Sequence, residues 1–381
     1  MFIFLAGIYG LTLLLCFSTY FFYPFALWVL SVLFPLKPLR REIPSRVSIL
    51  ISAYNEGKDI ERKVLNTLEL DFPREGLEIL VGSDGSTDST AAIVRNYAGS
   101  GVRLLDFETN CGKTAVQNDL VERSTGEILI FTDAASFLRP DAVMKLVRNF
   151  SDQRIGCVAG CLQFVDTDSN ITTQSQGLYW RYESAIRKLE SRLGSLIGLD
   201  GPLYAVRRKC YVPLFPNIIS DLITPLLVLA GGYKVVWEPE AIVKELPTGK
   251  AEQEFATRRR IALRGLVALS AHFDLLNPLK NPLLATQILF HKLLRWFVGP
   301  LVLLNGLACF FLVGSRPFAW IFTAYLAFGI AAAAGWVLDR QGMKNRWLTV
   351  PYYFILVNLA ATAGIVDFFR NKQAISWEPV R

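Results

Sequence analysis

Histidine is almost missing from this chain: His272 and His291 are its two imidazoles among 381 residues. That scarcity leaves little material for zinc hydrolysis or for Ser–His nucleophilic chemistry, both of which lean on imidazole. The cysteines, at 16, 111, 157, 161, 210 and 309, form no C-x-x-C pair and no even framework. They fit a reducing cytosol better than disulfides or structural zinc. There is no internal repeat and no low-complexity tract. No basic stripe with interleaved aromatics or zinc-finger spacing appears either, so nucleic acid is a poor partner. What the chain has instead is apolar sequence: 52% of residues are hydrophobic and the mean hydropathy is +0.34, with the excess at the two ends. A formal charge of +7 suits an anionic membrane face or an anionic substrate.

Phe2 to Leu36 carries no charged residue and exceeds the roughly 20 residues needed to cross a bilayer. A cleaved signal peptide is disfavoured because the start is not basic and the apolar run is too long. Lys37, Arg40, Arg41 and Arg46 follow at once, which puts the next segment in the cytosol by the positive-inside rule. After about Pro282 the chain returns to apolar sequence. Residues 283–296 set Lys292 and Arg295 within apolar neighbours, the pattern of an interfacial helix, and 297–313, 318–338 and 348–369 are spanning candidates. The expected organisation is an anchor at 1–36, a cytosolic domain at 37–282, an interfacial helix at 283–296, membrane helices over 297–369 and a tail at 370–381. Three C-terminal spans would leave Arg370, Lys372 and Arg381 outside, against the charge rule. A re-entrant last segment, broken at Pro351, is the alternative. The expected location is a bacterial inner membrane.

Between the ends, strands and helices alternate. VSILIS (47–52), LEILVGS (77–83), VRLL (102–105) and EILIFTD (127–133) read as strands, each followed by a loop and a helix. Repeated βα units of this length predict an α/β fold with a doubly wound, mostly parallel sheet. In such sheets chemistry collects beyond the carboxyl ends of the strands, so Asp84, Lys113 and Asp133 should gather on one edge. Each also has a plainer reading: Asp84-Gly85 as a turn, Lys113 as a solvated first-turn lysine, Asp133 as a turn-closing acid. A helix is expected from Ser220 or Asp221, either of which could be its N-cap, to Gly231. Another, Gln253 to Leu269, carries Arg258, Arg259, Arg260 and Arg264. The alternative role for these arginines is to face lipid headgroups.

Seven segments in order carry a resemblance: SILISAYNEG (48–57), SDGSTD (83–88), GK (112–113), TDA (132–134), GLDGPLYAVRR (198–208), SDLITP (220–225) and TRRRI (257–261). Together they resemble an inverting glycosyltransferase of family 2 with the GT-A fold, in its membrane-integrated, polysaccharide-synthase-like branch. The resemblance implies that Ala53, Asn55, Glu56 and Asp84 line the nucleotide and that Lys113 approaches its diphosphate. It implies that Asp133, the first acid of a D-x-D motif, holds the nucleotide-sugar through a divalent cation, Mg²⁺ or Mn²⁺. The second acid is replaced by Ala135, which weakens the case for that cation. Asp221 falls on the general base, with Ser220 in place of the preceding acid. Asp200 and Gly201 fall on the acceptor-binding segment. Thr257, Arg258, Arg260 and Ile261 fall in the Q-x-x-R-W region, with Arg260 on the motif arginine, Thr257 replacing its glutamine and Ile261 its tryptophan. The implied partners are a UDP-linked nucleotide-sugar donor, a glycan or lipid-linked acceptor, the bilayer, and a further chain or a second copy for export. Two other functions stay open: addition of a single sugar to a lipid, and a non-catalytic partner that binds nucleotide-sugar or glycan beside a synthase.

Overall fold

The computed structural model describes residues 1–43, 45–164, 171–246, 251–343 and 345–372. Eight strands form one sheet: β1 (Val47–Ala53), β2 (Leu77–Asp84), β3 (Val102–Phe107), β4 (Ile128–Asp133), β5 (Phe137–Leu138), β6 (Ile155–Phe164), β7 (Leu203–Arg207) and β8 (Lys234–Glu245). Their order across the sheet is β3-β2-β1-β4-β7-β6-β8-β5. The first four are parallel neighbours, and β7 runs antiparallel to both β4 and β6. The expected mostly parallel, doubly wound sheet is present, extended by a mixed half.

Helices α2 (Ile60–Leu68), α3 (Thr90–Arg95), α4 (Lys113–Arg123) and α5 (Ala142–Val147) cover its faces. Strand β1 is buried along its whole length, and its alternation sorts the core. Val47, Ile49 and Ile51 pack with Ile60, Val64, Val94 and Leu146 on one face, while Leu50 meets Val116 and Leu120 of α4 on the other. A strand apolar on both sides must be sandwiched, which is why this run reads as continuous rather than alternating hydrophobicity. The order reverses between β1 and β4, and the crevice opens there, at the carboxyl ends of those strands.

Three more helices complete the globular part: α6 (Ile171–Leu193), α7 (Ser220–Ala230) and α8 (Ala251–Ala271). Among the described residues, four helices are long and apolar enough to cross a membrane: α1 (Phe2–Leu33), α9 (Pro282–Phe311), α10 (Arg316–Arg340) and the last helix, α11 (Arg346–Phe369). The segment expected as a separate interfacial helix joins the following span in α9, through a π-helical turn at Ile288–Leu293. Helices α1, α9 and α10 share a polar knot. Asn305 donates to the Tyr9 carbonyl (2.9 Å) and to Thr12 Oγ1 (2.8 Å) and accepts from Tyr325 (2.7 Å).

Helix α11 does not break at Pro351. It grips α8 at two points: Tyr353 donates to Glu254 Oε1 at 2.7 Å, and Asp367 pairs with Arg259 at 2.5 Å. Lys372 lies 3.1 Å from Asp367. The chain after α11 therefore starts beside α8 of the globular part. Arg381 lies outside the described residues.

Candidate active site

The crevice is assembled by register. Ser52 pairs with Asp133 across β1 and β4, and Thr132 pairs with Leu203 across β4 and antiparallel β7. The second pairing sets residues 200–202, which lead into β7, beside Asp133. Phe131 stacks on Tyr204 beneath them, ring centroids 4.8 Å apart. Lys113 opens α4 after Gly112, whose φ of 91° is costly for any residue with a side chain. From there its ammonium forms an ion pair with Asp133. Gly201 completes the floor: a Cβ there would stand 3.0 Å from Asp221 Oδ2 and 3.7 Å from Lys113 Nζ. Lys113, Asp133, Gly201 and Asp221 thus meet.

Asp221 is not the helix N-cap that its sequence allowed. The cap is Ile219, and Asp221 sits in the first turn of α7, half-buried. Pro225 explains part of its placement. A proline has no N–H for the carbonyl four residues back, so the Asp221 carbonyl is left to accept from the Leu199 amide at 3.1 Å. Helix and acceptor-side turn are stitched together by that bond. Burial pushes the Asp221 carboxyl above its ordinary value, and the Asp133 charge adds to this; Lys113, Arg264 and Lys292 pull the other way.

The loops after β1 and β2 are tied to each other. Asn55, in the left-handed region at φ 52°, accepts from the Thr87 amide at 2.8 Å, and its own amide donates to Ser86 Oγ at 3.1 Å. Glu56 is buried, its amide donating to Thr90 Oγ1 at 2.8 Å. Ala53 is fully buried at the end of β1. Asp84 is fully buried as well, and its oxygens accept from the Cys111 (2.7 Å) and Gly112 (3.0 Å) amides. In this arrangement it shapes the turn that presents Lys113.

Helix α8 divides its arginines by face. Thr257, Arg260, Ile261 and Arg264 share one side at helical spacing. Burial lowers the Arg260 and Arg264 guanidinium groups, and the Asp221 charge offsets this in both, so both lie within electrostatic reach of the crevice acid; Arg264 Nη2 also donates to the Ile218 carbonyl at 3.2 Å. Arg258, assigned to the donor by its motif position, is engaged elsewhere. Its Nε donates to Glu254 at 2.8 Å and its Nη2 to Tyr353 at 3.4 Å, because an i, i+4 acid and the last helix draw it to the opposite side. Asp200, buried, pairs with Arg187 of α6 at 2.5 Å.

Three residues the motifs did not single out stand close by. Arg264 is one turn beyond Arg260, so helical spacing alone could have found it. Glu245 ends β8 and accepts from Ser136 Oγ in the turn after Asp133; burial and then the Asp133 charge push it up to about 7. No motif marks it. It arrives because β5 pairs with β8, Phe137 opposite Lys244. Lys63, fully buried, donates to Thr132 Oγ1 at 2.8 Å and to the Ser136 carbonyl, clamping the same turn.

Among the described residues no three His, Cys, Asp or Glu side chains gather closely enough to hold a metal by themselves. The donors present, Asp133 and across the turn Glu245 and Ser136, are hard oxygens. They fit a Mg²⁺ or Mn²⁺ ion that completes its shell with phosphate and water.

Residues 48–211, which carry β1 through β7 and the crevice turns, match the model of glycosyl transferase family 2. Residues 48–211 carry a family 2 glycosyltransferase domain. Curated relatives agree. A Mesorhizobium japonicum N-acetylglucosaminyltransferase is 24% identical over 71% of this chain and 67% of its own length. An Azorhizobium caulinodans N-acetylglucosaminyltransferase is 26% identical over 54% and 56%. A Staphylococcus epidermidis poly-beta-1,6-N-acetyl-D-glucosamine synthase is 24% identical over 51% and 48%. The chain thus spans about half to two thirds of the length of these relatives. In fold, the glycosyltransferase domain and its apolar helices together match a mannosyltransferase from Pyrobaculum calidifontis, PcManGT, solved with GDP-Man and Mn²⁺. The TM-score is 0.73 at 20% identity, covering 97% of this chain and all of that one.

Proposed function

We propose that this chain is a membrane-bound inverting glycosyltransferase that moves a sugar from a nucleotide-sugar, UDP-linked, to a glycan or lipid-linked acceptor on the cytosolic face of a bacterial inner membrane. The observation that carries the reading is the meeting of Asp221, with its raised carboxyl, and the cations Lys113, Arg260 and Arg264 at one crevice. In an inverting transfer the acceptor hydroxyl attacks the anomeric carbon as the bond to the donor diphosphate breaks on the opposite face. Asp221 takes the hydroxyl proton; a base with a raised value is better matched to that task than an ordinary aspartate. Lys113, Arg260 and Arg264 stabilise charge developing on the leaving diphosphate. A divalent cation held by Asp133, with Glu245 across the turn, would add to that stabilisation. The loops at Asn55, Glu56 and Asp84 frame the nucleotide end, and Asp200 and Gly201 the acceptor end.

One observation favours the narrower reading, a single sugar added to a lipid. Helix α11 is committed to α8 through Tyr353 and Asp367, which leaves fewer helices to line a path for an exported polymer. Purified protein in membranes, incubated with a panel that includes UDP-N-acetylglucosamine and GDP-mannose, tests both readings. Release of nucleoside diphosphate establishes the transferase, and mass analysis of the glycosylated product separates lipid from glycan. Absence of diphosphate release with every donor would favour a non-catalytic binding partner.

A further inference from the structure

A second buried polar cluster lies outside the crevice, where the globular domain meets α1 and α9. His291, 1% exposed, presents Nδ1 to Glu190 Oε1 at 2.7 Å and Nε2 to Glu183 Oε1 at 3.2 Å. Glu190 is fully buried and also accepts from the Tyr23 hydroxyl of α1 and from the Ile197 amide at 3.3 Å. Glu183 accepts from Arg295 at 2.7 Å and lies 3.6 Å from Arg187 Nε. Arg187 is the same residue whose other arm holds Asp200, and it also reaches the Leu199 carbonyl at 3.5 Å. From Leu199 a single backbone bond leads to the Asp221 carbonyl.

The links therefore run without a break from Tyr23 on the N-terminal apolar helix, through Glu190, His291, Glu183 and Arg187, to the turn against which the candidate base rests. Burying so many ionisable groups costs several kcal/mol per ion before pairing, and apolar residues of the same volume would dock two helices at less expense. What an apolar contact lacks is a fixed geometry, and each link here has one. Lys292 adds a second, direct link: its Nζ would stand 2.8 Å from a Cβ at Gly198, so α9 touches the same turn.

We propose that Arg187, Glu183, His291 and Glu190 are positioning residues, which set the Leu199–Gly201 turn against Asp221 when α1 and α9 are docked on the domain. The apolar helices then hold the acceptor side of the site in register in addition to anchoring the domain. The kinetic arm of the test rests on the transferase reading above; the exchange arm does not.

Tyr23→Phe removes one hydroxyl at the far end of the chain of contacts, and Arg187→Lys keeps the charge at the near end while losing the forked geometry. Both changes are small enough to leave the chain folded, whereas His291→Gln would strip two buried carboxylates of a shared partner and is the harsher change. The expected result is that Tyr23→Phe and Arg187→Lys each raise the acceptor KM by about 2- to 30-fold, the range of couplings carried through packed networks, with donor KM and donor hydrolysis unchanged. The double variant should fall short of the product of the two effects, because both act on one element. Amide exchange over residues 198–203 should quicken in each variant. A Tyr23→Phe protein with normal acceptor KM and normal exchange at that turn would overturn the proposal, as would strictly multiplicative effects. If the wild-type protein transfers no sugar, the transferase reading falls and the exchange measurement alone decides.

Discussion

Replacing Asp221 by Asn removes a carboxylate from the crevice with almost no change of volume. The bond from the Leu199 amide to the residue-221 carbonyl is backbone and survives, so the turn and α7 should stay in place. A positioned base of this kind contributes about 10²–10⁴ in rate, and kcat should fall by that factor while donor KM holds. Stability should move the other way. The carboxyl is raised in the folded chain, chiefly by burial and then by Asp133, so the folded state binds a proton more readily than the unfolded one. Its ionisation above the ordinary aspartate value of 3.8 therefore costs stability as pH rises through the folded value, and a neutral Asn escapes that cost at pH 7. Asp221→Asn should unfold at a higher temperature than wild type. In wild type the acid limb of kcat/KM should lie above 3.8, and it should vanish in the variant's residual activity. Diphosphate release with and without acceptor, thermal unfolding in detergent, and a pH profile measure all three. Near-full turnover by Asp221→Asn would assign the proton to another group and refute the reasoning.

Cation dependence should be present but weak, because Ala135 supplies no oxygen: titrating Mn²⁺ and Mg²⁺ into chelator-treated protein should restore donor binding. Asp133→Ala should abolish it, Glu245→Gln should weaken it, and undiminished binding in chelator would show that the site works without metal. Arg264→Gln should lower kcat by about 10²-fold with little change in donor KM, since a group aimed at developing charge acts mainly in the transition state; Arg258→Gln should leave kcat near wild type and lower the unfolding temperature instead. Products from the isolated protein at high acceptor excess should be short or single additions, because Thr257 and Ile261 give the acceptor end neither an amide nor an aromatic face; long chains beside untouched acceptor on sizing would refute this.

The parallel half of the sheet was legible because β1, β2 and β4 are short apolar runs that empty into polar turns, a pattern set by burial on both faces. The positions of Lys113 and Asp133 were legible for the same reason: Asp133 ends β4, and Lys113 opens the helix that follows β3. The antiparallel insertion of β7 was not, since nothing in LYAVR distinguishes the two directions, yet that direction is what sets Gly201 beside Asp133. Glu245 escaped because the β5–β8 pairing that delivers it joins residues far apart in sequence. The contacts of Arg258 could not be read from motif position. Glu254 four residues earlier and Tyr353 on a distant helix decide its orientation, and a motif contains neither. The role of Pro225 could have been read from its place inside a helix, but the partner of the carbonyl it releases could not.

The grip of α11 on α8 ties the crevice arginines to the position of an apolar helix. Tyr353 and Asp367 hold one side of α8, and Arg260 and Arg264 ride on another. A helix longer than the local hydrocarbon accommodates by tilting, at a cost of fractions of a kcal/mol per Å of mismatch. Were α11 to sit in a bilayer, such a tilt would pass through two polar contacts to the helix that carries Arg260 and Arg264, and reaction rate measured in vesicles of different acyl-chain length would then vary.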